Sequence, residues 1–381
     1  MYNKNNQRVF KAYDFFIKMS IYRENIRLLQ YIKPAPRVIS NIYHMYRAGE
    51  KAGKPFGIKF EVSALCNLRC IMCPLSKGLK RKQGILKFDN FRRVFDEVRP
   101  PYLNLTGIGE PLLNPDLFKI IRYAGSKGSI VKLDTNATLL DDEKARMLLA
   151  SKPNIVSISI DGINKESYEK IRVGGKFEIV IKNLKNFIEI RNKTKSRTKI
   201  HVNFVLQKSN ISELIEFIKY IDSLGVDSIN GDIALPLGAN KNKENRKVDR
   251  NIAERLKSEL KKLKTRASLN IEHIHEFIKC EESNRKKNCF YPWYYPSITW
   301  DGNMVPCCYI CDNEIVFGNV LEEGFMNVWN NKKTREFRKM IAKGREGICK
   351  NCFIDETFIA DKMRVLHKTP IIRRLSARKT I

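Results

Sequence analysis

Six short runs rich in β-branched residues, each followed by a stretch with helical spacing, constrain this chain more than any other feature. The runs are GIKFEV from Gly57, YLNLTG from Tyr102, IVKLDTN from Ile130, IVSISIDG from Ile155, KIHVNFVL from Lys199 and VDSINGDIA from Val226. Helical stretches lie between them: FDNFRRVFDEV with Asp89 placed as its N-cap, DLFKIIRYAGSKG closed by Gly128, and ISELIEFIKYIDSLG closed by Gly225. Strand and helix units in succession predict a parallel α/β sheet, either open and doubly wound or an incomplete barrel. With 381 residues the chain can hold one such domain and smaller additions. Polar or glycine-rich signals follow the first four runs: a cysteine trio, GIGEP, DTNAT and SIDG. In parallel α/β folds that edge is where active sites are built.

The ten cysteines fall in clusters, CxxxCxxC at Cys66, Cys70 and Cys73 and CKNC at Cys349 and Cys352. Such clusters read as metal ligation in a reducing compartment rather than as a disulfide framework. A structural zinc site or a closed iron-sulfur cluster wants four ligands, so a trio standing alone leaves a coordination position open for substrate or cofactor. No run approaches a membrane span and no secretory signal opens the chain, which places the protein in the cytoplasm. The net charge of +30 thickens at both ends. Apolar Phe10, Tyr13, Phe16 and Ile17 stand at helical spacing among Lys11, Lys18, Arg23 and Arg27. These N-terminal helices pack on the body or touch a membrane surface. Neither end forms a recognisable nucleic-acid module.

CNLRCIMC, following a strand, resembles the motif of the radical S-adenosylmethionine (SAM) superfamily. The resemblance implies a partial (β/α)6 TIM-like barrel in which Cys66, Cys70 and Cys73 hold three irons of a 4Fe-4S cluster and the fourth iron chelates SAM. TGIGEP resembles the family's glycine-rich segment, so Gly107, Gly109, Glu110 and Pro111 are expected to hold the SAM amino group. SISIDG and the following YEKIRVGG imply that Ser159 and Arg172 meet its carboxylate, a role that suits the planar fork of arginine. Asn136 and Asn203, on neighbouring strands, are placed at the cofactor or substrate pocket. The implied chemistry is reductive cleavage of SAM to a 5′-deoxyadenosyl radical that abstracts a substrate hydrogen.

From about Pro236 to Asn288 the chain turns lysine-rich and helical, and then YYPSITWDGNMVPCCYIC reads as a hairpin turning at Asp301-Gly302 in the type I′ manner. Cys289, the glycine, Cys307 and CKNC resemble the start of the SPASM domain that follows some radical SAM barrels. No cysteine follows Cys352, so the resemblance is to the shortened twitch form, a β-hairpin plus helix with one auxiliary 4Fe-4S cluster on Cys289, Cys307, Cys349 and Cys352. Cys308 stands beside Cys307 as an alternative ligand and Cys280 beside Cys289; Cys311 is a further unplaced thiol, and a tetrathiolate zinc site fits the same positions. The expected organisation is an N-terminal helical extension over 1–52, the barrel over 53–236, a helical linker over 237–288, the twitch domain over 289–360 and a basic tail over 361–381.

These readings point to an oxidoreductase that passes the electron left on substrate to the auxiliary cluster, for example in dehydrogenating a small-molecule alcohol. An external flavodoxin or ferredoxin would supply the reducing electron. The alternative is a peptide-modifying maturase of the SPASM type. A basic iron-sulfur or zinc protein that binds RNA is the third reading, and it predicts steeply salt-dependent affinity and no SAM cleavage.

Overall fold

The computed structural model describes residues 49–233, 250–271, 274, 289–350 and 352. The expected helices before residue 49, the tail 361–381, part of the linker and Cys280 lie outside them.

All six strand runs form strands: β1 Gly57–Phe60, β2 Tyr102–Leu105, β3 Ile130–Thr135, β4 Ile155–Ser159, β5 Lys199–Leu206 and β6 Ser228–Ile233. Each pairs in parallel with the next. The intervening helices are α1 Phe88–Val98, α2 Leu117–Ser126, α3 Asp142–Ala150, α4 Lys165–Ile171, α5 Phe177–Lys193 and α6 Leu214–Ser223. Helix α1 shows the logic. Phe88, Phe91, Val94, Phe95 and Val98 recur at helical spacing and are all buried. Its cap differs from the expectation. Asp89 lies inside the first turn and the N-cap is Lys87, without a side-chain bond; the Phe88 N–H donates instead to Oδ2 of Asp116 at 2.9 Å. Gly128 and Gly225 follow their helices with φ of 86° and 85°, the left-handed conformation a helix stop favours.

Segments outside the barrel extend the sheet at both edges. Helix α7, Arg250–Lys262, leads from the linker to β7, Ser268–Asn270, a seventh parallel strand beside β6. At the other edge β8, Ser297–Ile298, pairs in parallel with β1 and antiparallel with β9, Asn303–Val305, which β10, Gly318–Asn319, follows. The result is one sheet in the order β10-β9-β8-β1-β2-β3-β4-β5-β6-β7. The hairpin turn is not type I′, because Gly302 has φ of 92° while Asp301 has no positive φ. Gly302 N–H donates to Thr299 O at 2.9 Å and Thr299 N–H to Asn303 O at 3.0 Å. The loop is therefore three residues long, with the glycine in the left-handed position.

Alternation along the strands separates two environments. Ile58, Phe60, Leu103, Leu105, Val131 and Leu133 join the apolar core beneath the helices, whereas Lys59, Asn104, Lys132 and Asp134 face a cavity of about 480 Å³. The C-terminal part then packs on the chain's entry to the barrel. After α8 Tyr291–Tyr294, α9 Val320–Glu323 and α10 Phe325–Trp329 comes α11 Lys332–Lys343. Its Arg338 is fully buried, with the guanidinium 4.2 Å from the Trp329 ring centroid and donating to Glu50 O at 2.9 Å. Trp293 and Trp329 donate their indole N–H to Gly49 O and Gly53 O.

Candidate functional site

The loop after β1 leaves the sheet and returns to it, closed by the Ser63–Ile85 bridge and by Ala64 N–H on Gly84 O. Within this excursion Cys73 N–H donates to Cys70 O and Ser76 Oγ to Cys70 O, which turns the chain so that Cys66, Cys70 and Cys73 face one another. Leu68 N–H reaches Cys66 Sγ at 3.4 Å. The turn between α4 and α5 braces the loop from outside, Val173 O and Ile171 O accepting from Arg69 N–H and Ile71 N–H.

Burial pushes all three thiols up, Cys73 to about 11, and Cys66 and Cys73 are raised further by their neighbours in the trio. Free thiols here keep their protons at neutral pH, and metal binding must displace them. Arg172 opposes the shift at Cys70, hydrogen-bonding to it. Its Nε also donates to Asp161 Oδ2 at 2.7 Å. Burial disfavours the Arg172 charge, but Asp161 more than restores it, so the guanidinium titrates above its ordinary value.

The glycine-rich segment lies against this loop. A Cβ on Gly109 would sit 2.3 Å from Ser63 O and 2.5 Å from Leu65 O, and one on Gly107 would sit 2.3 Å from Glu61 Cγ. Glycine is required at 109 because the backbone approaches that closely, whereas at 107 the neighbour is the Glu61 side chain. The Glu110 carboxylate is internally committed: Oε1 accepts from Leu112 N–H and Thr135 Oγ, and Oε2 from Asn136 N–H. Pro111 begins a 3-10 turn, Pro111–Leu113. Asn136 donates to Asn67 Oδ1 at 3.0 Å and lies 3.9 Å from Cys66 Sγ, beneath the cysteine loop. Ser159 and Asn203 line the cavity.

That cavity is polar in a way the sequence reading did not foresee. Asn203 Nδ2 donates to Asp134, Asn230 Nδ2 to Asn203, and Asn270 Nδ2 to Asn230, a chain of amides across β3, β5, β6 and β7. Lys132 Nζ is 3.3 Å from Asp134. The buried Asn104 Oδ1 has no hydrogen-bond partner, an orphan of the kind a ligand satisfies. The readable signal was polar residues at alternate strand positions of a sheet that helices cover. Glu61 and Arg81 were also missed. They form a two-bond pair at 2.6 and 2.8 Å, and Arg81 Nε donates to Cys311 O at 2.6 Å. The cysteine loop, β1 and the C-terminal hairpin loop are thereby joined.

The second thiol set assembles at that hairpin. Burial raises Cys307 well above its ordinary value, and the neighbouring charges of Cys308, Cys289 and Cys352 raise it further. Cys349 is raised by burial and then by Cys352. Cys311 is pushed up to about 12 by burial and senses Cys73 rather than the second set. It lines the cavity with Cys308 and Cys73. Among the described residues no three His, Cys, Asp or Glu side chains close on a single metal ion. The donor chemistry fits a polynuclear cluster in the first set: thiols from one loop, an N–H aimed at sulfur and an adjacent guanidinium.

Residues 60–221 match the radical SAM superfamily model and residues 289–353 that of SPASM, an iron-sulfur cluster-binding domain. An AdoMet-dependent heme synthase from Methanosarcina barkeri is 28% identical over 319 residues, 77% of this chain and 87% of that protein. The mycofactocin maturase MftC of Mycobacterium ulcerans is 29% identical over 193 residues, 50% of this chain and 49% of that protein. The crystal structure of Streptococcus suis SuiB bound to S-adenosylmethionine superposes with a TM-score of 0.62 at 16% identity, covering 87% of this chain and 78% of that one.

Proposed function

We propose, from the chain's membership of the radical SAM superfamily and its C-terminal SPASM domain, that it is an oxidoreductase acting on a small polar molecule held in the barrel cavity. Cys66, Cys70 and Cys73 would hold the 4Fe-4S cluster that binds SAM, and Cys289, Cys307, Cys349 and Cys352 the auxiliary one. The clusters and SAM supply, when bound, one-electron chemistry and abstraction of a hydrogen atom from a substrate carbon. The observation that carries the proposal is that one cavity is lined both by Cys73 of the first set and by Cys308 and Cys311 of the hairpin loop. A substrate there would touch the loops that carry Cys73 and Cys308.

The chain's own residues divide the remaining work. Arg172, kept cationic by Asp161 and beside Cys70, would meet a carboxylate of SAM, and Ser159 lines the cavity. The backbone of Gly107 to Pro111 shapes the turn that receives an amino group, while Glu110 holds that turn to Asn136. Lys59, Lys132 and the amide chain offer donors to oxygen-rich groups of a substrate, and dehydrogenation of an alcohol suits such a lumen. The small-molecule reading is supported by the heme synthase, whose similarity covers most of both chains. Modification of a peptide is the second reading, supported by the maturase, whose similarity covers half of each chain.

The test is iron and sulfide per chain after anaerobic reconstitution, with 5′-deoxyadenosine formation, for the wild type and a Cys66, Cys70, Cys73 triple alanine variant. About eight irons falling to about four, with deoxyadenosine from the wild type alone, is the expected outcome. Reduced, fully loaded protein that forms no deoxyadenosine overturns the reading.

A further inference from the structure

Three side chains of the lumen stand at one level of the sheet. Lys59 on β1 pairs in register with Asn104 on β2, and Asn104 with Lys132 on β3. All three line the cavity. Two strand spacings, roughly 10 Å, separate the backbones of the two lysines, a gap that two lysine side chains can close on one cluster of oxygens. The level lies deeper than the residues expected to hold SAM. Asn104 precedes Gly107 by three residues and Lys132 precedes Asn136 by four, which at the rise of a strand is roughly 10 Å further into the lumen.

The acids that line the same cavity, Glu61, Asp134 and Asp232, are all engaged. Glu61 is held by Arg81 through two bonds. Asp134 Oδ1 takes Lys132 Nζ at 3.3 Å and Asn203 Nδ2 at 3.1 Å, and Asp232 has a partner as well. No ion pair among the described residues uses the Lys59 ammonium, yet it stands close enough to act on Asp134. Burial works against the Asp134 charge, and Lys132 followed by Lys59 hold the carboxyl below its ordinary range. The cavity thus keeps an uncommitted positive charge beside a second lysine. The amides point the same way. The Asn203 and Asn230 oxygens already accept within the amide chain, while each Nδ2 gives away one of its two protons. A wall that has spent its acceptors and kept donors suits a ligand rich in acceptor oxygens. The exception is Asn104 Oδ1, unpartnered in a residue only 6% exposed. Lying between two lysines, it calls for a donor on the ligand, which a hydroxyl next to an anionic group supplies.

We infer that Lys59, Asn104 and Lys132 form a subsite for the carboxylate or phosphate of a small hydroxylated substrate, whose other oxygens meet Asn203 and Asn230. The inference rests on the reading of this lumen as the substrate site of a SAM-cleaving enzyme, and it names the substrate class. Lys59 and Lys132 supply the charge, and Asn104 selects a hydroxyl beside the anionic group.

The experiment is equilibrium dialysis of reconstituted full-length protein at physiological salt against labelled D-gluconate, D-glucose 6-phosphate and the neutral D-glucitol. It compares the wild type with Lys59→Met, Asn104→Leu and Lys182→Met, the last removing an exposed lysine of α5. The wild type and Lys182→Met should bind one equivalent of at least one anion, at least tenfold more tightly than glucitol. The tighter anion identifies the group as carboxylate or phosphate. Lys59→Met should lose roughly tenfold in affinity for that anion and keep its affinity for glucitol, whereas Asn104→Leu should weaken both. Iron content and unfolding midpoint should stay those of the wild type in Lys59→Met, because that ammonium holds no ion pair. Three results overturn the subsite: no anion bound, glucitol bound as tightly as the anions, or anion binding that Lys59→Met leaves intact, which is condensation on a basic surface. Deoxyadenosine formation is measured on the same preparations. A protein that passes the binding test but makes none sinks the SAM-cleaving reading and leaves the subsite in place, and one that makes it but fails the binding test does the reverse.

Discussion

His201 shows how far a single side chain can depart from the behaviour its type suggests. It sits on β5, 2% exposed, and its Nδ1 has no partner. Burial, then the Lys132 ammonium, hold its pKa down at about 3 against an ordinary 6.5. Between those values the unfolded imidazole binds a proton that the folded one refuses. Unfolding therefore takes up a proton, stability rises with pH across that window, and acid removes it. The expected outcome is that unfolding free energy of the wild type falls on going from pH 7 to pH 5 with a slope approaching about 1.4 kcal/mol per pH unit beyond that of His201→Leu. Equal slopes for the two proteins show instead that the imidazole is protonated in place. Gly109 makes the complementary point. The resemblance predicted it as part of a cofactor turn, and the structure adds a steric reason, the carbonyls of Ser63 and Leu65 that leave no room for a Cβ.

At the scale of elements, the strand runs were readable because each concentrates β-branched and apolar residues, and because the helices between them repeat apolar residues at helical spacing. Caps and short strands were not. Asp89 satisfies a local rule for an N-cap, yet it falls inside the first turn, and the helix's first N–H, that of Phe88, is taken by Asp116, 28 residues further along the chain. Asp116→Ala should accordingly cost about 1 kcal/mol in urea unfolding, and Asp89→Ala less than about 0.5. The reverse order restores the local cap. Strands β7 and β8 are three and two residues long, too short to carry a period. Their strand character comes from the β6 and β1 edges that they pair with.

For the whole molecule, a buried ion pair reinforces the joint that the β1–β8 pairing makes between barrel and hairpin. Arg81 and Glu61 have side chains 5 and 7% exposed, Glu61 also accepts from Trp300 N–H on the hairpin, and Asp312 accepts from the N–H groups of Lys80 and Arg81. Removing one member strands the other charge in a desolvated place. Arg81→Met should destabilise by about 3–5 kcal/mol, and Glu61→Gln/Arg81→Met should recover part of that loss, measured by chemical unfolding. A loss below about 1 kcal/mol for Arg81→Met means that the hairpin does not depend on this joint.

By itself the sequence determined the parallel α/β class, the six barrel strands, the two cysteine sets and the glycine-rich turn, since each depends on residue type at short spacing. Tertiary structure alone decided that one ten-stranded sheet joins barrel and hairpin. It also decided that the lumen is lined by lysines and a chain of asparagines, and that Cys308 and Cys311 line the same cavity as Cys73. The reason is physical. A local pattern shows which face of a strand or helix is apolar, but a polar residue on the remaining face belongs to solvent or to a cavity according to which strands pair. Here those partners lie up to some 240 residues away, as Lys59 and Ser297 do.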